Sequence, residues 1–164
     1  MATYNPLKLR IEDDTILNKK CFSVKNVTNK MKVFTRFMHR LLRTHGGLGL
    51  AANQVGRLFR IIVVNTLGQT EDGVVLTMYN PRIAAFGEGI DMMTEGCLSF
   101  PGRVFIRRRP VSIFVEYVTE DGEILERWFH GLNAQVIVHE LLHLEGIHVD
   151  QLESNHFEQL LAVE

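Results

Sequence analysis

Between Thr28 and Thr44 the apolar residues Met31, Phe34, Met38, Leu41 and Leu42 recur at helical spacing, while Lys30, Lys32, Arg36, Arg40 and Arg43 fall on the other side. This pattern predicts an amphipathic helix capped by Thr28 or Asn29, with His39 and His45 on its solvated side. The run from Arg60 to Asn65 predicts a buried strand. Val74 to Tyr79 predicts a second, stopped by Asn80-Pro81, with Gly68 to Gly73 as the polar loop between them. Further on, Val111, Ile113, Val115 and Tyr117 alternate along Val111–Val118. After the Asp121-Gly122 turn, Ile124 to Phe129 returns as the partner strand, with Trp128 and Phe129 as its packing mass. Asp91 to Gly102 fits neither period and reads as a loop or a short irregular strand. Val136 to Gly146 is apolar on its flanks and predicts a buried helix, opened at Gly131 and stopped by Gly146. Residues 1–28 read as irregular, and the polar tail after Asp150 as a short helical turn through Phe157, Leu160 and Leu161. The sum is an α+β fold, with antiparallel β-sheets packed around a central buried helix, in a single domain over residues 1–164.

Composition narrows the class. A chain of 164 residues with 46% hydrophobic and 23% charged residues can bury one core without disulfides. The formal net charge of −1 gives no nucleic-acid-binding field, and no direct nucleic-acid site is expected. No apolar run approaches the roughly 20 residues that cross a bilayer, so no membrane partner is expected. The N-terminus, Met-Ala-Thr-Tyr-Asn-Pro, lacks the basic and apolar regions of a signal peptide, which predicts a cytoplasmic protein. Two cysteines do not make a disulfide framework; Cys21 reads as a small, half-buried apolar residue.

The chemistry concentrates in the second helix. His139 and His143 stand four apart, on one helical face, where both imidazoles can bind one metal ion. Glu140 sits beside that face, where a carboxylate can take a proton from a metal-activated water. The bland alternative is a core helix with two chance histidines. A catalytic transition-metal site usually has three protein ligands, so the third decides. The zinc-protease pattern His-Glu-x-x-His-x-x-Gly-x-x-His finds Gly146 in place, but Val149 stands at the third histidine, with His148 and Asp150 on either side. Glu158 and Glu164 are the downstream carboxylates such a protease could use. Cys97 is the other candidate, since a thiolate is a strong soft ligand. The stretch Gly46–Gly56 reads as a small-residue wall beside a site, with Gln54 as an inward polar donor; it has no Gly-Lys-Ser/Thr and follows no predicted strand. Arg107-Arg108-Arg109 is equally a solvated edge or an anion clamp.

Three motifs in order, Gly47-x-Gly49-x-Ala51-Ala52-x-Gln54, Glu95-Gly96-Cys97-Leu98-Ser99 and His139-Glu140-x-x-His143, resemble those of the peptide deformylase family, as does the 42-residue step from Cys97 to His139. The resemblance covers roughly residues 30–150. It implies a metal-dependent hydrolase that removes the formyl group from the N-formylmethionine of nascent polypeptides. It implies Cys97, His139 and His143 as ligands of one divalent ion, typically Fe2+ and replaceable by Zn2+, Ni2+ or Co2+. Attack by metal-bound water would have Glu140 as general base and then acid, with the Gln54 side chain and the Leu98 N–H on the oxygen that gains charge. Leu48, Gly49, Gly96, Leu132, Val136 and the His139 ring would line the methionine pocket, and Glu95 would pair with Arg107 or Arg109. The chain departs from the family at Val138 and Leu142, where Gln and Asp are usual, and at Gln135, where the pocket is normally aliphatic. It ends 21 residues after His143, short of the basic helix with which many bacterial relatives dock on the ribosome. Weak or altered ribosome association is therefore expected, as for a bacteriophage form or a compact bacterial paralogue. A metalloprotease, with no need of Cys97 or Gln54, and a non-catalytic metal-binding module, with no use for Glu140, remain as alternatives.

Overall fold

In a computed structural model of the chain, residues 8–66, 75–151 and 156–161 are described. Helix α1 (Asn29–Thr44) is followed by β1 (Gly49–Ala51), β2 (Ile61–Asn65), β3 (Val75–Phe86), β4 (Ile90–Cys97), β5 (Phe100–Pro110), β6 (Ser112–Val118), β7 (Ile124–His130) and helix α2 (Gly131–Leu144). A five-stranded antiparallel sheet has the order β1-β2-β3-β6-β7, and β4 and β5 pair as a separate antiparallel hairpin. The fold is α+β, as the pattern predicts.

Helix α2 is the centre of the molecule, and every residue from Asn133 to Leu144 is buried. Ile137, Val138, Leu141, Leu142 and Leu144 pack with Ile62, Val64, Met78, Ile113, Val115 and Phe129 of the large sheet. On the sheet's opposite face, Ile61, Val63 and Tyr79 pack with Phe34, Met38 and Leu42 of α1. Strand β2 is covered on both faces, and this is why it is apolar at every position from Ile61 to Val64 rather than alternating. Thr28 caps α1, its Oγ accepting from the Met31 N–H at 3.4 Å. After α2 the chain turns at Gly146, φ +75°, where an added Cβ would lie 2.7 Å from the Asn18 carbonyl oxygen.

Several sequence expectations are corrected. Strand β3 does not stop at Asn80-Pro81 but continues to Phe86 through a register shift between Tyr79 and Arg82. Asn80 takes the left-handed conformation, and its side chain closes a pair of hydrogen bonds with Val24, accepting from N–H at 2.7 Å and donating to C=O at 2.8 Å. A proline is tolerated in a strand at such an irregularity. Asp91–Gly102 is not a loop but the turn end of the β4–β5 hairpin, irregular in register between Gly96 and Cys97; Met92 faces outward while Glu95, Cys97 and Phe100 are buried, so apolar and polar residues do not alternate by face. Of the packing pair on β7, Phe129 is fully buried while Trp128 is 44% exposed, and Val111 precedes β6 rather than sharing its buried face. His39 is half-buried rather than solvated, its Nε2 2.7 Å from the Thr77 hydroxyl. The tail does form short helical turns as expected, of 3-10 type, at Val149–Gln151 and His156–Leu160, with Phe157 buried against Phe86. The loop expected at Gly68–Gly73 lies outside the described residues. Among those described, no helix is long and apolar enough to cross a membrane.

Candidate active site

The site forms where the C-terminal end of β4 meets the buried face of α2. Cys97 closes β4, and the four-residue step on α2 puts His139 and His143 side by side, ring centroids 5.0 Å apart. One ligand atom from each of Cys97, His139 and His143 lies within 4.8 Å of the others, all three residues buried. The Cys97 Sγ is 3.3 Å from the His143 Nε2. His139 donates from Nδ1 to the Glu95 carboxylate at 3.1 Å, which leaves its other ring nitrogen for the group. One sulfur and two imidazole nitrogens, buried and converging, form a donor set that fits a divalent transition-metal ion.

Glu95 is itself held from three directions. Arg109 donates from Nε at 2.6 Å and from Nη2 at 2.8 Å, a bidentate pair with both side chains almost wholly enclosed. Gln135 donates from Nε2 to the Thr94 carbonyl at 3.1 Å and to Glu95 at 3.4 Å. Of the two arginines considered as its partner, Arg109 pairs with Glu95, while Arg107 donates to the Val149 carbonyl. Val138 and Leu142, where the family usually has polar residues, lie in the apolar core. The His143 Nδ1 is buried with no partner among the described residues, while the His143 backbone carbonyl accepts from Asn53 Nδ2 at 2.6 Å. His139 is thus oriented through its side chain and His143 through its backbone.

Gln54 lies in the 3-10 turn after β1. Its Oε1 accepts from the Ala51 N–H at 2.8 Å, which turns Nε2 toward Cys97 Sγ, at 3.6 Å, and Ser99 Oγ, at 3.1 Å. Glu140 is buried, and its Oε2 has no partner among the described residues. Burial pushes its carboxyl up to about 7, with His139 opposing the rise and Glu95 adding to it. Burial disfavours protonation of both histidines. At His139 hydrogen bonds to Cys97 and Glu95 outweigh it and raise the pKa well above the usual value, whereas at His143 burial prevails and the pKa falls well below it.

A cavity of about 660 Å³ opens onto these groups, lined among others by Leu48, Gly49, Gly96, Cys97, Leu98, Leu132, Val136, His139 and Glu140. Gly49 is necessary to its shape. A Cβ there would stand 2.5 Å from Glu140 Oε1 and 2.7 Å from Val136 Cγ1, so only glycine lets β1 run this close to α2. Sequence reasoning missed Leu9, Ile11, His45 and Arg103, which also line the cavity. The N-terminal pair carries no motif that could have found them. Ser99 was legible as part of the cysteine motif, but its bond to Gln54 was not.

The family model for polypeptide deformylase matches residues 6–158. A peptide deformylase of Picosynechococcus is 35% identical over 150 residues, 91% of this chain and 80% of the relative. A probable peptide deformylase from Synechococcus phage S-SSM7 superposes with a TM-score of 0.83 at 34% identity, over 88% of this chain and 98% of that one. The class I type b peptide deformylase of Acinetobacter baumannii, in a structure with Met-Ala-Ser bound, gives 0.82 at 28% identity, over 88% and 96%.

Proposed function

The chain belongs to the polypeptide deformylase family, and within it we propose which of its residues carry out the metal-dependent removal of the N-formyl group. Cys97, His139 and His143 would hold the ion, a role supported by their buried convergence. A divalent ion in that set supplies a Lewis acid and makes a neutral-pH nucleophile of water. We take the ion as Fe2+, with Zn2+, Ni2+ and Co2+ as substitutes that the same sulfur and nitrogen donors accommodate. We propose that it acts in the cytoplasm.

Glu140 is the proton carrier. A carboxyl with a pKa near 7 can accept a proton from the attacking water and return it to the leaving amine at neutral pH. Gln54 Nε2 and the Leu98 backbone N–H would donate to the formyl oxygen as it gains negative charge. The Ala51 N–H already holds the Gln54 amide in one orientation, so the donor is preorganised. The methionine side chain would enter between Leu48, Gly49, Gly96, Leu132, Val136 and the His139 ring, with Gln135 on the same wall. The binding of Met-Ala-Ser by the A. baumannii relative supports a peptide lying along this cavity.

The observation that carries this assignment is the meeting of the Cys97–His139–His143 group with a buried, partnerless Glu140 oxygen at one cavity. Formate release from formyl-Met-Ala-Ser by Fe2+-loaded protein tests it, with Glu140→Ala and Cys97→Ser beside the wild type. The wild type should turn over and both variants collapse, Cys97→Ser with loss of metal and Glu140→Ala without. Cleavage of an internal peptide bond, or full formate release by Glu140→Ala, would overturn these roles.

A further inference from the structure

The β4–β5 hairpin presents two different faces. Glu95, Cys97 and Arg109 turn inward to the site. In the antiparallel register Thr94 opposes Ile106, Gly96 opposes Val104, and Met92 and Ile90 oppose Arg108 and Pro110. Opposed residues share a face, so Ile90, Met92, Val104 and Ile106 stand together on the outside. They are 46%, 58%, 70% and 61% exposed. An uncovered apolar face of this kind on a two-stranded ribbon is a liability unless something covers it.

One end of the face is the mouth of the active-site cavity. Thr94 and Gly96 belong to this outer face and also line the cavity, and a Cβ on Gly96 would meet nothing within 4 Å. A peptide whose first residue occupies the cavity must leave across this mouth. We infer that the outer face of the hairpin is a docking strip for the substrate's own downstream segment, an extended apolar stretch of the newly made chain. From Gly96 back to Ile90 the strip covers six residue steps, about 20 Å, enough for about six extended residues beyond the first three. A chain at this stage is unfolded, and its apolar side chains are available to cover Val104, Ile106 and Met92. The inference rests on the deformylase activity assigned above but adds a second contact outside the catalytic cavity.

The test compares formyl-Met-Ala-Ser with two nonapeptides that extend it, one by alternating Val and Ser and the other by Gly, Ser and Asn alone. Fe2+-loaded wild type is set against Val104→Thr/Ile106→Thr, which keeps β-branched residues on the strand and changes only polarity. Covering roughly 60 Å² of apolar surface corresponds to about a tenfold gain in affinity. The apolar nonapeptide should therefore show a KM about tenfold below that of the tripeptide with kcat unchanged. The polar nonapeptide should show no gain, and the variant should lose the gain while handling the tripeptide normally. Turnover of the tripeptide without any gain from the apolar extension overturns the docking strip and leaves the activity standing. No turnover of the tripeptide overturns the activity and the strip together. A wild type that dimerises with concentration, and a variant that does not, would assign the face to a second copy of the chain and overturn the proposal.

Discussion

Replacing Arg109 by leucine isolates the charge balance behind the site. Arg109 and Glu95 have side chains 2% and 3% exposed and meet through two hydrogen bonds of 2.6 and 2.8 Å. Removing one partner of a buried pair strands the other charge, which typically costs about 3–5 kcal/mol, against at most about 1 kcal/mol for an exposed pair. At about 2–4 °C per kcal/mol for a chain of this size, Arg109→Leu should lower the melting temperature by about 6–20 °C. The pH dependence separates this from simple loss of packing. In the wild type, burial raises the Glu95 pKa, but His139 and Arg109 together outweigh it and hold the group below its usual value. Its folded pKa therefore lies under its unfolded one. The stabilisation it contributes is complete above the unfolded value and is lost as pH falls through the folded one. Without Arg109, only His139 opposes burial, Glu95 takes up a proton more readily than in the wild type, and the gap between variant and wild type should narrow as pH falls through the carboxylate range. Thermal melts of the metal-loaded proteins from neutral pH to pH 4 measure it, with Arg109→Leu/Glu95→Gln to close a double-mutant cycle. A loss below 1 kcal/mol at neutral pH, or a gap independent of pH, would refute the claim that Arg109 neutralises a buried Glu95 charge.

Three other outcomes follow from the site. With the Glu140 carboxyl at about 7, kcat/KM for formyl-Met-Ala-Ser should rise with pH through that value as the basic form populates, and Glu140→Gln should lose about 10²–10⁴-fold in kcat with its metal content intact by elemental analysis. Gln54→Leu removes one preorganised donor and should lower kcat by about 10²–10³-fold with little change in KM; an equal loss confined to KM would mean that it binds substrate rather than the developing charge. Gly49→Ala drives a Cβ to 2.5 Å from Glu140 Oε1 and should cut formate release more than tenfold while far-UV circular dichroism stays native, whereas normal turnover would show that β1 can back away.

The sequence made the buried helix and its chemistry readable because α2 had to satisfy two periodicities at once. Its apolar residues surround the axis, and among its polar residues His139, Glu140 and His143 fall at the spacing that brings two imidazoles and a carboxylate together. Strand β2 was readable for the same reason, being covered on both sides. The β4–β5 hairpin was not, since its inward face mixes charge and sulfur with Phe100 and Phe105 while Ile90, Met92, Val104 and Ile106 look outward, so neither face reads as the apolar one. Nor could local pattern reveal that Asn80 rescues a strand across Pro81, because its partner is Val24, 56 residues away. Cys97, His139 and His143, the proposed ligands, were themselves marked by motif. Their supports, Arg109 behind Glu95 and Asn53 behind the His143 carbonyl, are set by tertiary distance alone.

The burial of α2 from Asn133 to Leu144 also bears on how the protein is made. A helix buried on all its faces from Asn133 to Leu144 gains little by forming alone in water, and its burial requires the large sheet on one side and the hairpin on another. The sulfur donor arrives from β4 and the two nitrogen donors from α2, 42 residues later, so no stretch of partly folded chain holds all three. Metal uptake by the proposed ligands is therefore expected late in folding, and the arrival of a Co2+–thiolate absorption band during refolding would time the closure of the core around its last helix.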